Sequence, residues 1–112
     1  MEVTMVLKKP QEKACVKLIG NELKDLQEAV GGLIQPIPIP RTGLTILCNE
    51  EGKYMDLKPN IAFGRDVIVG NILVVKMISD GNIPGLTLDE QKIAKEVLNK
   101  AALTEDLDWL FK

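Results

Sequence analysis

The chain has 112 residues, of which 46% are hydrophobic and 27% charged, with a formal net charge of −2; this fits one ordinary globular domain with a single core and excludes disorder as the default state. The charge is too small to drive binding to a phosphate backbone and too small for an acidic nucleic-acid mimic, and no local Lys/Arg cluster offsets it, so nucleic acid is not an expected partner. No apolar run reaches the roughly 18 residues that cross a bilayer, and Met1-Glu2-Val3-Thr4 carries an acid where a signal peptide has positive charge, so the expectation is a cytoplasmic protein without membrane contact.

Val3–Leu7 and Ala14–Ile19 read as two short strands joined by the polar turn Lys8–Lys13. Asn21 is the expected N-cap of a first helix, with Glu22 and Asp25 in its first turn, Leu23, Leu26, Ala29 and Val30 as its apolar stripe, and Gly31-Gly32 as its end. Cys15 and Cys48 lie in apolar, strand-like stretches and are expected to be buried thiols, with a disulfide only if their strands are neighbours.

In Leu33-Ile34-Gln35-Pro36-Ile37-Pro38-Ile39-Pro40 the prolines alternate. Their missing N–H groups fall on one lateral side, so the segment is expected to be an edge strand, or an extended arm, closed to further pairing on that side. Leu44–Asn49 and Lys53–Met55 read as a hairpin about Glu50-Glu51-Gly52, with the glycine at a positive φ, and Leu57–Gly64 as a loop.

Val67–Ile78 gives the longest strand signal, with Val67, Val69, Leu73, Val75 and Met77 on one face and Ile68, Ile72, Val74 and Ile78 on the other. A strand apolar on both faces is central and covered on both sides, and Gly70 marks a bulge or a close backbone approach. Thr87 and Glu90 form a capping box for a last helix whose buried stripe is Ile93, Ala94, Val97, Leu98 and Ala101. The acidic and aromatic tail, 103–112, suggests one more helical turn or two. Either the helices and tail divide between the two faces of the central strand, or one face pairs with a second copy, which makes a homodimer an expectation.

The chain has no histidine, which removes the commonest general base and metal ligand, and its two cysteines are too far apart for a zinc pair. No phosphate-binding glycine motif is present. Asp80, Asn82, Asp89 and Glu90 do not match calcium-loop spacing and read as turn and cap chemistry. Neither a metal nor another cofactor is expected, and the chain reads as a non-enzymatic binding protein. The candidate binding residues are Lys58, Asn60, Arg65 and Asp66, in a polar loop feeding the central strand, and Trp109 and Phe111 in the tail, which either folds back over its own sheet or enters a partner's groove.

Val30-Gly31-Gly32-Leu33-Ile34, Cys48-Asn49-Glu50-Glu51-Gly52-Lys53, Leu57-Lys58-Pro59-Asn60, Asp66-Val67-Ile68-Val69-Gly70-Asn71 and Gly85-Leu86-Thr87 occur in this order. The ordered set, spanning roughly residues 1–98, resembles a family of short uncharacterised proteins from bacteriophages and mobile elements, mostly of Firmicutes, catalogued as a domain of unknown function. Ile61 stands where that resemblance leads one to expect an arginine. The resemblance implies an accessory protein, and by context a host protein as partner. The elements read along the chain give the expected fold: an α+β domain with a mainly antiparallel sheet of about five strands, two packed helices and a short helical tail. Its expected role is to inhibit a host defence protein by contact. The alternatives are an oligomeric sponge for a nucleotide signal, built on Lys58, Asn60 and Arg65, and a carboxylate-based hydrolase.

Overall fold

The computed structural model describes residues 1–78 and 80–103. The expected helical turns of the tail, with Trp109 and Phe111, lie outside the described residues. The fold is α+β: a five-stranded antiparallel sheet, a two-stranded hairpin and two helices. The strands are β1 (Glu2–Lys8), β2 (Cys15–Gly20), β3 (Ile34–Ile39), β4 (Leu44–Asn49), β5 (Pro59–Phe63), β6 (Asp66–Val69) and β7 (Ile72–Lys76). Helix α1 is Leu23–Val30 and α2 is Leu88–Ala101. The large sheet runs β2-β1-β7-β4-β3, and β5 pairs with β6 in a separate hairpin, with Ile61 of β5 also bridged to Ala102.

The centre of the sheet is β7, between β1 and β4. Its alternation feeds two cores. Leu73 and Val75 pack with Met5, Leu47 and the α1 residues Leu26 and Val30. Ile72 and Val74 pack with Val6, Ile46, Ala94 and Leu98 of α2, and Ile61 and Ile68 of the hairpin. Each residue of this kind stabilises the fold by about 1.5–3 kcal/mol when fully buried. The chain thus covers both faces of its central strand itself, α1 on one and α2 with the hairpin on the other. A second copy is not needed to cover either face.

The continuous strand expected over Val67–Ile78 is instead two strands in different sheets. Gly70 separates them at φ 77°, a left-handed conformation that an L side chain resists, and Leu57 packs so closely that a Cβ on Gly70 would fall 2.7 Å from its Cδ1. The close approach is as expected; the strand break is its consequence. Leu57–Gly64, expected to be a loop, contains β5. The hairpin expected about Glu50-Glu51-Gly52 is a 3₁₀ turn over Gly52–Met55, and Gly52 is not among the residues of positive φ.

Local chemistry explains the helix ends. Asn21 does not cap α1: Glu22 is the N-cap and shares a capping box with Asp25, while the Asn21 amide donates to Ile83 O at 3.0 Å. Gly31 ends the helix at φ 82°. Leu23 projects into solvent rather than joining the α1 stripe, and Ile93 is partly exposed on α2. At α2, Glu90 N–H donates to Thr87 Oγ1 at 3.2 Å and Thr87 N–H to Glu90 Oε1 at 2.9 Å, the expected capping box. Cys48 is buried but Cys15 is exposed, because β2 is an outer strand; both thiols are free.

The proline segment is the other outer strand, as expected. Glu50 N–H donates to Leu33 O at 2.8 Å, and alternation along the β3–β4 register then bonds Gln35, Ile37 and Ile39 to β4 and turns Pro36 and Pro38 outward.

Candidate functional site

The fold separates the four residues expected to share a binding loop. Lys58 is exposed at the rim of a depression of about 430 Å³, whose other walls are the Lys9-Pro10 turn, the end of α1, Met55 and Leu57. Asn60 is fully buried. Its Oδ1 accepts from Lys8 Nζ at 2.6 Å, and its Nδ2 donates to Lys8 O at 2.8 Å and Gly70 O at 2.7 Å. Asn60 is thus a structural cross-link, not a free ligand-binding amide. Arg65 is exposed in the Gly64-Arg65 loop between β5 and β6. Asp66 faces another cavity. Within one chain Asn60 turns inward between Lys58 and Arg65, which both face solvent. Trp109 and Phe111 lie outside the described residues.

Asp66 belongs to a groove of about 420 Å³ between the hairpin and the β3 side of the sheet. One wall is Gln35 and Ile37 of β3 with Cys48 and Asn49 of β4; the facing wall is Asp66–Val69, and Glu50, Lys53 and Tyr54 close one end. Among the described residues β6 pairs only with β5, so its other lateral side carries no strand, and the Val67 N–H there is taken by Asp66. Lys53 forms an ion pair with Asp66 across the mouth, and Val67 N–H donates to the same carboxylate at 2.7 Å. Tyr54, the sole tyrosine, is 91% exposed at the lip.

Three titratable groups of the described residues are shifted by their neighbours in this region and at α2. The hydrogen bond from Lys53, and then that from Val67 N–H, hold the Asp66 carboxyl below its ordinary pKa. Burial, and then the neighbouring Asp66 charge, push the Cys48 thiol up, and it donates to Gln35 O at 3.6 Å. A protonated thiol is a poor nucleophile. Glu90 is held low chiefly by Thr87 N–H, with Lys76 3.1 Å away. Asp80 Oδ1 accepts from Asn82 N–H at 3.0 Å, which is turn chemistry. Among the described residues no group of three or more His, Cys, Asp or Glu could hold a metal ion, and no helix is long and apolar enough to cross a membrane.

A second surface escapes a reading along the sequence. Lys13 of the β1–β2 turn meets Lys92, Lys95 and Lys100 of α2 around an open cleft of about 490 Å³, with Ala14, Glu96 and Asn99. Lys9, Lys13 and Lys17 continue around the turn beside Cys15 and Glu12. The sequence shows no local basic cluster because the two lysine groups are far apart in it. Folding brings them together, and the bond from Ala14 N–H to Asn99 Oδ1 at 3.0 Å fixes the contact.

No curated protein and no solved structure matches the chain. A family model does match, over residues 2–99, nearly all of the described fold. The chain therefore belongs to the family described as Domain of unknown function (DUF3846).

Proposed function

We propose that this domain is a non-enzymatic binding module that receives an extended segment of a partner protein in the groove along β6. The observation that carries this reading is a groove of about 420 Å³ with β6, which pairs on one side with β5, along one wall. A strand edge supplies backbone hydrogen bonds for affinity, and side chains lining the groove supply selectivity. Ile37, Val67 and Val69 give the apolar contacts, Tyr54 a large amphipathic one, and the Lys53–Asp66 pair a charged clamp at the mouth. The expected partner is a host protein met in the cytoplasm, such as a defence enzyme blocked by an accessory protein of a phage or mobile element; the source and role follow the resemblance in sequence.

Selection from a library of random linear peptides tests this. Enrichment of extended sequences with alternating apolar residues is expected, with binding weakened at least tenfold by Val67→Arg and by Tyr54→Ala. A library that yields no binder, or binders indifferent to both substitutions, would sink the proposal.

The lysine cleft favours a second reading, in which the ligand is a phosphate-bearing nucleotide signal. Calorimetry against cyclic and linear nucleotides, with Lys95→Glu as control, separates it from the first. Heat that vanishes in the control supports it, and a silent panel removes it.

A further inference from the structure

The two lateral edges of the five-stranded sheet are finished differently. The β3 edge is closed by Pro36 and Pro38, whereas β2 has no proline. Asn21 N–H donates to Met1 O at 3.0 Å, which sets the alternation of the β1–β2 register. Cys15, Lys17 and Ile19 therefore bond to β1, while Val16, Leu18 and Gly20 turn their N–H and C=O groups outward. The bond from Ala14 N–H to Asn99 agrees, since Ala14 belongs to the outward set, and it ends the open run there. Val16 and Leu18 are 38% and 65% exposed. Such an edge is a template for another strand.

Charge selects the strand. Lys9, Lys13 and Lys17 outnumber Glu12 at the start of β2, whereas Glu22 and Asp25 outnumber Lys24, 4.0 Å from Glu22, after its end. The carboxyl of Asp25 lies so close to Gly20 that a Cβ there would fall 2.2 Å from Oδ2. Turned antiparallel, a second β2 sets its basic half against this acidic end, and the complement occurs at both ends at once.

We propose that β2 pairs antiparallel with β2 of a second copy, with Leu18 on the two-fold axis, so that two five-stranded sheets become one. In this register Val16 stands opposite the partner's Gly20 and Lys17 opposite the partner's Ile19, so no lysine directly faces a lysine. This contact uses neither the groove nor the covered faces of β7, so it stands or falls independently of peptide binding.

Sedimentation of the full chain tests it. Reversible dimers that dissociate more readily as salt rises are expected. Leu18→Pro removes an N–H that the fold does not use, so it should keep its circular dichroism yet be monomeric; Lys17→Pro removes a bond to β1 and should destabilise the chain. In a Cys15→Ser background, Leu18→Cys should give a covalent dimer under mild oxidant, because hydrogen-bonded antiparallel partners lie about 5.5 Å apart at Cα. A wild-type chain that stays monomeric at its highest soluble concentration overturns the proposal. So does a folded Leu18→Pro chain that dimerises like wild type. If Leu18→Pro unfolds, the assigned alternation is wrong and the proposal fails with it.

Discussion

Lys8 and Asn60, 52 residues apart in sequence, hold each other by both side chain and backbone: the ammonium donates to the amide oxygen at 2.6 Å, and the amide nitrogen returns a bond to Lys8 O at 2.8 Å. Lys8 is 1% exposed, and the ion pairs among the described residues do not include it. Its further acceptor is Lys9 O at 3.4 Å. A buried lysine held by an amide instead of a carboxylate is rare, because desolvation is not offset by an opposite charge in contact. The pair joins the end of β1 to the start of β5 and thereby seats the hairpin on the sheet.

Asn60→Ala should cost about 3 kcal/mol, since it strands a buried ammonium and removes the donor to two buried carbonyls. Lys8→Met removes the buried charge and leaves only the neutral Asn60 Oδ1 without its donor, so it should cost less, about 1–2 kcal/mol. Urea unfolding of both variants checks the order. A milder effect from Asn60→Ala than from Lys8→Met would show that the amide is not what supports the lysine.

Burial lowers the pKa of Lys8, and the charge of Glu12 partly restores it. The native chain then releases this proton at a lower pH than the unfolded chain. Between the folded pKa and the ordinary lysine value the unfolded state binds more protons, so stability from this group rises with pH. The difference in unfolding free energy between wild type and Lys8→Met should therefore move in favour of wild type as pH climbs towards 10.5. A difference that is flat over the alkaline range would contradict the assignment.

The α2 capping box should be visible in the same assay. Thr87→Ala should cost about 1 kcal/mol. Glu90 is held below its ordinary pKa, so its contribution is present above the unfolded value and lost as pH falls through the folded one. Acid titration of wild type against Glu90→Gln should show the gap between them closing in that window.

Gly70→Ala should destabilise by at least about 1–2 kcal/mol, from the left-handed backbone alone, with the Leu57 contact adding to it. Thermal melting reads this directly. A neutral result would mean that the chain passes from β6 to β7 in some other conformation.

Much of the fold was legible in the sequence because local pattern and tertiary role agree. The paired strands β1 and β2, the proline edge, the α2 capping box and the α1 glycine stop each carry a chemical reason within a few residues. The errors have non-local causes. Val67–Ile78 alternates without interruption, so apolar pattern alone could not show that Gly70 hands the chain from one sheet to another. Asn60 follows a proline and looks like loop chemistry; its partner Lys8 is read as a turn residue until β1 and β5 meet. The lysine cleft and the groove each combine segments distant in sequence, and Lys53 gives no local signal of its pairing with Asp66.

The position of β7 also bears on how the chain reaches its native state. Its two neighbours, β1 and β4, belong to hairpins encoded earlier, so on a growing chain both wait with an inner edge unfilled until residues 72–76 arrive. Closing the sheet late, over long chain separations, makes for slow folding and for an interval in which those two edges can capture foreign strands. Synthesis of this protein should therefore be most vulnerable to aggregation just before β7 is delivered, and truncation ahead of Ile72 should leave two sticky hairpins in place of a smaller domain.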